Sequence, residues 1–295
     1  GLTCFEVMDL ASKERHLIDF GQEAYCASTL YNPEPGCKHF CLGYSSPNTP
    51  YQVIHYSFDT KEIAVMKEDS VPGYDKSLYD VRRIMVKSRD GKKSISLKGC
   101  NPLLQYAYGS YGLSEDDCFN PAIFSLVDRG FIFALAHVRG GSEMGFQWYE
   151  DGKLLRKMNT FNDFADVSQY LIDEGYTSPD RLFAQGGSAG GLLMGVVSNM
   201  YPQLYKGIVA EVPFVDIVTT MLDPAIPLTT SEYDEWGNPE SEEYYKYMLS
   251  YSPYDNVKEQ EYPAMLVTAG IHDSQVQYWE LSFSALCILL PCVST

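Results

Sequence analysis

Residues 181–200 read Arg181-Leu182-Phe183-Ala184-Gln185-Gly186-Gly187-Ser188-Ala189-Gly190-Gly191-Leu192-Leu193-Met194-Gly195-Val196-Val197-Ser198-Asn199-Met200. The run Arg181–Ala184 predicts a strand and Leu192–Met200 predicts a helix. Between them Gly186-Gly187-Ser188-Ala189-Gly190 fits G-x-S-x-G, the pattern of a nucleophile elbow, in the strand–turn–helix setting it requires. The physical reason is steric. So sharp a turn has no room for side chains beside the serine, and it thrusts the hydroxyl outward. The helix that follows brings its partly positive N-terminus to the same place, and the Ala189 N–H is positioned to donate to an oxyanion. The alternative is a glycine-rich turn without chemistry. By contrast Arg139-Gly140-Gly141-Ser142-Glu143-Met144-Gly145 is also rich in Gly and Ser but fails the pattern.

Outward from this turn the chain alternates strand and helix. Leu103–Tyr108 and Phe131–Val138 are apolar runs of the kind found inside a parallel sheet. Ala122–Asp128 suits a helix ended by Gly130. Thr160–Glu174 sets Phe161, Phe164, Val167 and Leu171 on one helical face, with Thr160 as cap, Asp163 three residues on and Gly175 as terminator. Gly207–Ala210 and Ala264–Thr268 are further strands. Repeated strand–helix–strand units predict an α/β fold over residues 76–280, with a doubly wound, mostly parallel sheet. Residues 1–75 are β-rich instead. Tyr51–Phe58 and Glu62–Met66 flank Asp59-Thr60 as a hairpin, with breakers at 32–36 and 46–50. Val71–Asp75 reads as a linker. A second hairpin is predicted from Arg83–Val86, the turn Asp90-Gly91 and Ser94–Leu97.

The 295 residues are 45% hydrophobic and 21% charged, an ordinary soluble globular balance. Against 39 acidic side chains stand 22 basic ones, a formal net charge of −17. Such a surface repels nucleic acid and anionic lipid and favours a cationic substrate. No run of 18 apolar residues exists, so no membrane span is expected. The start, Gly1-Leu2-Thr3-Cys4, shows neither an initiator Met nor a signal peptide, so the chain reads as an excerpt of a longer protein. The eight cysteines contain no CxxC pair and are expected as reduced thiols, which makes a cytoplasmic compartment the default. Cys37-x3-Cys41, with His39 between them, lacks two further ligands nearby, so no metal is expected. With no P-loop, no dinucleotide fingerprint after a strand and no HExxH, no cofactor is expected.

A serine nucleophile needs a base, and the base needs an orienting carboxylate. In α/β-hydrolases the order along the chain is Ser, acid, His. Asp273, in Gly270-Ile271-His272-Asp273-Ser274-Gln275-Val276, follows a strand and stands where the acid belongs, although Asp is also common in plain turns. The histidines are His16, His39, His55, His137 and His272. The first four precede the serine, and His272 adjoins the acid itself, so no general base is expected in this chain. The segment 230–244 holds Glu232, Asp234, Glu235, Glu240, Glu242 and Glu243 and no basic residue. A guanidinium in a partly dry pocket needs such a carboxylate, because an unpaired buried charge is costly. On charge pattern alone a solvated acidic loop is the other reading.

Beyond these single features, residues 76–280 resemble the oligopeptidase B group of the prolyl oligopeptidase family. The likeness lies in Tyr106–Gly112, Arg139–Gly145, Trp148–Lys153, Asn159–Asp163, the elbow, Pro213–Asp216, Glu235–Pro239 and His272–Glu280. The resemblance implies an α/β-hydrolase domain preceded by a β-propeller, of which residues 1–75 are a remnant of at most one or two blades. It implies a serine peptidase that cuts short basic peptides after Arg or Lys through an acyl-enzyme. Carried over residue by residue, it makes Ser188 the nucleophile, Asp273 the triad acid and Tyr108 the partner of the Ala189 N–H in the oxyanion hole. Glu232 becomes the carboxylate for the basic side chain. Asp234 stands where the group often has a second Glu, and Asp116 lines the next subsite. Cys118 replaces an Asp there, so that subsite is expected to be less acidic.

The chain departs from the family in three ways. Its β-rich part is too short for a closed propeller. A strand and loop are missing between Leu97 and Gly99. The resemblance stops at Glu280, where the tail 281–295, uncharged and without His, replaces the segment that carries the base. As written, the chain is expected to be inactive. An esterase of the same fold and a catalytically dead binding module are the competing readings.

Overall fold

The computed structural model describes residues 3–89 and 101–280. The predicted turn at Asp90-Gly91, the arm Ser94–Leu97, the shortening before Gly99, the tail 281–295 and Cys100, Cys287 and Cys292 lie outside the described residues. The chain forms two compact units. One takes the residues up to Met85 together with Asp116–Phe124; the other takes Val86–Glu115 and the chain from Ser125 on. The first unit therefore runs past residue 75 and reclaims a segment from the middle of the sequence.

In the first unit β1 (Glu6–Met8) and β2 (Arg15–Leu17) form an antiparallel pair. The strands β3 (Cys26–Thr29), β4 (His39–Ser46), β5 (Thr49–Ser57) and β6 (Ile63–Glu68) form a four-stranded antiparallel sheet in sequence order, the strand count of one propeller blade. The alternation of the β5–β6 hairpin was readable in the sequence. The breaker at 46–50 shrinks to a tight turn, closed where the Ser46 hydroxyl donates to Thr49 Oγ1 at 2.8 Å. Leu42, Tyr44, Ile54 and Tyr56 point to one face and form the core with Ile18 and Tyr25.

Two expectations fail in and just after this stretch of chain. Arg83–Val86 forms no strand; instead the Arg83 N–H donates to Glu23 Oε2 at 3.1 Å. Nor are all the cysteines thiols, since Cys26 and Cys118 are joined in a disulfide with Cα atoms 5.6 Å apart. The two are 92 residues apart in sequence, and only the return of Asp116–Phe124 to this unit brings them together.

The second unit is built on five parallel strands, β7 (Leu103–Tyr106), β8 (Ile132–Leu135), β9 (Leu182–Gly187), β10 (Gly207–Glu211) and β11 (Ala264–Thr268), in the order β11-β10-β9-β7-β8. The helices between them are α1 (Pro121–Val127), in which the chain passes from the first unit to the second, α2 (Phe146–Glu150), α3 (Met158–Asp173), α4 (Ala189–Met200), α5 (Ile217–Leu222), α6 (Tyr233–Trp236) and α7 (Glu242–Tyr251). The core lies between α3, α4 and the sheet, where Phe161, Phe164, Leu182, Leu192, Leu193 and Val197 are fully enclosed.

The face of α3 falls as its periodicity predicts, but its start does not. Thr160 lies inside the helix, and its hydroxyl donates to the Arg139 carbonyl at 2.6 Å rather than capping. Asp163 is bound by the Arg139 guanidinium, with Nε to Oδ2 at 2.7 Å. Tertiary partners have taken both groups from the local motif. Gly175 does end the helix, at φ +74°, as a left-handed terminator should.

Candidate active site

In a parallel sheet all strands point the same way, so the loops at their C-terminal ends gather along one edge. Gly187 at the end of β9 is in register with Glu211 of β10, and Glu211 with Thr268 of β11. On the other side Gln185 of β9 pairs with Tyr106 of β7. Ser188 thus stands one residue beyond β9, Tyr108 two beyond β7, and Asp273 five beyond β11, all on one edge.

Ser188 adopts φ 55° and ψ −115°. A non-glycine residue here is strained by roughly 1–3 kcal/mol and persists only when its neighbours over-determine it. They do. The Ser188 N–H donates to the Glu211 carbonyl at 2.8 Å, and its carbonyl accepts from Phe214 N–H at 3.2 Å and Leu192 N–H at 3.1 Å. The flanking glycines are required by space. A Cβ on Gly190 would lie 2.8 Å from the Ala107 carbonyl, and one on Gly191 would lie 2.4 Å from Pro213 Cα. Because the first bond of the α4 ladder starts at Leu192, the Ala189 N–H belongs to the set that an α-helix leaves without an internal acceptor.

Tyr108 lies against the elbow: a Cβ on Gly190 would lie 3.4 Å from Tyr108 Cα and 3.6 Å from its ring. Burial raises the Tyr108 pKa, the Ser188 side chain opposes this, and the carboxylates of Glu232, Glu235 and Glu115 add to the rise. The phenol therefore keeps its proton and can donate it. Beside it, Tyr111 has its ring centroid 6.2 Å from that of Tyr108 and donates its hydroxyl to Glu232 Oε2 at 2.7 Å. The same oxygen accepts the Trp236 indole N–H at 3.1 Å. Burial and the Glu232 carboxylate hold the Tyr111 phenol protonated. Ser188, Ala189, Tyr108 and Glu232 are thus brought into one connected neighbourhood.

Asp273 closes its own loop. Its Oδ1 accepts the N–H groups of Gln275 at 2.8 Å and Val276 at 3.0 Å, and these bonds lower its pKa. It stays ionised and half-buried, with Oδ2 accepting no hydrogen bond among the described residues. His272 beside it is exposed and hydrogen-bonds neither Asp273 nor Ser188. Asp234 is exposed, two positions from Glu232 and so about 200° around the same helical turn. It does not join the Glu232 cluster. Asp116 is exposed in the first unit.

The structural roles of three residues of this edge escaped the sequence reading. Glu235 is 3% exposed. Its Oε1 accepts the Tyr111 N–H at 3.0 Å and its Oε2 the Tyr149 hydroxyl at 2.9 Å, so it is no solvated member of an acidic run. Lys157, fully enclosed, pairs with it at 3.6 Å. Glu280, 1% exposed, accepts the N–H groups of Val215 at 3.1 Å and Asp216 at 3.3 Å on Oε2 and the Thr220 hydroxyl at 2.9 Å on Oε1. Lys157 adjoins Arg156 and Glu235 adjoins Asp234, so nothing local marks either as enclosed.

Residues 118–285 match the model of the prolyl oligopeptidase family. The chain is 54% identical over 269 residues to the dipeptidyl aminopeptidase BI of Pseudoxanthomonas mexicana, covering 88% of this chain and 37% of the relative. It is 44% identical over 277 residues to protease 2 of Moraxella lacunata, covering 90% and 40%. Among solved structures, oligopeptidase B from Trypanosoma brucei, with covalently bound antipain, superposes with a TM-score of 0.87 at 40% identity, over 100% of this chain and 44% of that one. The chain therefore spans about two fifths of the length of the relatives it matches. Matched to the family model over more than half of its sequence, and 54% identical to one relative over 88% of its length, this chain belongs to the prolyl oligopeptidase family of serine peptidases.

Proposed function

We propose that this chain is the catalytic part of an oligopeptidase that cleaves short peptides after Arg or Lys. The Ser188 hydroxyl attacks the scissile carbonyl as its proton passes to an imidazole base, which returns that proton to the leaving amine. The Ala189 N–H and the Tyr108 hydroxyl hold the tetrahedral oxyanion, the amine leaves, and water releases the acyl group from Ser188. Glu232 pairs with the guanidinium or ammonium of the residue before the cut. Asp234 and Asp116 are proposed as further acidic contacts for a basic peptide, and Asp273 as the orienting carboxylate for an imidazole base. The observation that carries the reading is the run of contacts from the elbow, where a Cβ on Gly190 would lie 3.4 Å from Tyr108 Cα, through the Tyr108 and Tyr111 rings to the Tyr111 bond with the Glu232 carboxylate. On this reading a nucleophile, an oxyanion donor and a cation acceptor are neighbours.

No histidine among the described residues stands in the base position, which favours a second reading for the chain alone: a site that binds substrate without turning it over. A peptide nitroanilide ending in Arg separates the two. The isolated chain is expected to hydrolyse it no better than about 10³–10⁴-fold over water, and to bind benzamidine in a manner that Glu232→Gln weakens about tenfold or more. Rapid turnover would show that another group serves as base. Benzamidine binding indifferent to Glu232→Gln would remove the cation pocket from the proposal.

A further inference from the structure

The Lys157 ammonium is sealed from solvent but has three donors to satisfy. It donates to the Gly109 carbonyl at 2.7 Å and to Ser110 Oγ at 2.6 Å, and pairs with Glu235 Oε1 at 3.6 Å. It also lies 4.9 Å from the centre of the Trp236 ring. Two of these partners directly follow Tyr108. The other two belong to the turn that starts at Glu232, where the Trp236 indole donates to Glu232 itself. Glu235 closes the circuit by accepting the Tyr111 N–H. One buried cation therefore grips both the loop that carries the oxyanion donor and the helical turn that carries the cation acceptor.

An enclosed ion pair contributes little to stability compared with apolar side chains of the same volume. What it supplies instead is direction, since a lysine held by two hydrogen-bond acceptors and one ion-pair partner tolerates one arrangement of the segments that own them. We infer that Lys157 is a positioning residue, which sets the spacing between the oxyanion site at Tyr108 and Ala189 and the carboxylate of Glu232. The inference rests on the reading of those two sites given above. For a substrate the spacing matters because its reacting carbonyl and its basic side chain belong to one residue and must be seated together. A misplacement of about 1 Å costs on the order of 10²-fold in rate.

The test uses equilibrium binding, so that it needs no base. Benzamidine probes the cation site alone. Phenylboronic acid probes the serine alone: boron accepts an Oγ–B bond, the hydroxyl proton passes to solvent, and the tetrahedral boronate anion lies in the oxyanion site. In 4-amidinophenylboronic acid both groups sit on one rigid ring, so its advantage over the single probes reports the spacing. The perturbation is the double variant Lys157→Met with Glu235→Gln, which strands no buried charge. Ser110→Ala, which removes one contact of the ammonium and leaves both charges, is the companion should the double variant not fold.

The expected result is that the double variant loses about tenfold or more of the two-headed probe's advantage, with Ser110→Ala moving the same way by less. A purely structural role would leave the advantage intact at any melting temperature. An unchanged advantage in Ser110→Ala and in every folded Lys157 variant overturns the inference. Failure of the unsubstituted chain to bind benzamidine and phenylboronic acid overturns the functional reading, and the positioning role with it.

Discussion

Replacing Glu280 by Gln is expected to stabilise the protein in alkaline solution and to leave it nearly unchanged in acid. Burial raises the Glu280 pKa from 4.5 to about 7, against the opposing pull of its bonds from Asp216, Thr220 and Val215, with the nearby Asp216 charge adding to the rise. The folded state then holds the proton more tightly than the unfolded state. By linkage the contribution to stability is full below about pH 4.5 and is lost as pH rises through 7. The interval is 2.5 pH units (7 − 4.5), and each unit corresponds to about 1.4 kcal/mol, so ionisation costs about 3 kcal/mol at pH 9 and under about 1 kcal/mol at pH 5. Glutamine avoids this cost. Its carbonyl can accept from Val215 and Asp216, and its amide can donate to the Thr220 hydroxyl. Urea unfolding of both proteins at pH 5 and pH 9 gives four free energies. The variant should gain roughly 2–3 kcal/mol relative to the parent between the two pH values. A parent and variant that lose stability in parallel across that range would refute the argument, because the pH dependence would then belong to other groups.

Three further outcomes follow from the geometry. Gly191→Ala drives a methyl to within 2.4 Å of Pro213 Cα, so it should destabilise by about 1–3 kcal/mol in the same assay; a neutral effect would mean that the elbow packs less tightly than described. A non-reducing peptide map should recover Cys26 linked to Cys118, and reduction should lower stability by roughly 2–4 kcal/mol, as for a bridge closing a long loop; alkylation of Cys26 and Cys118 themselves in the unreduced protein would contradict it. Asp273 should titrate below its ordinary 3.8, since two loop amides favour the carboxylate, so any stability it lends is present above that pH and fades as acid protonates it. A midpoint above 4 in a carboxyl-resolved NMR titration would be at odds with that loop.

The elbow was legible because its constraint is local: a strand, a bend without side chains and a helix leave their mark within twenty consecutive residues. The same holds for the sheet strands and the apolar face of α3. The acidic run at 230–244 was legible only as charge. Which of its members is internal and which is bound at the site depends on residues far away in sequence, Tyr111 for Glu232 and Glu235, and Lys157 for Glu235. Asp234 and Glu232 look alike in the sequence but separate once helical geometry turns them apart. The disulfide and Glu280 were invisible for the same reason, as each depends on a contact that only the fold creates. Thr160 and Asp163 show the converse case, in which a good local capping pattern gave way to the Arg139 backbone and guanidinium.

The register that aligns β7, β9, β10 and β11 makes the protein unequally tolerant of changes in length. An insertion in the surface connection after α7 alters only how far the chain travels before β11 begins. One extra residue within β9 would turn every later side chain of that strand to the opposite face and carry the serine away from its tyrosine. Natural length variation in relatives should therefore accumulate in the connections and spare β9, and a library of single-codon insertions would display that boundary directly.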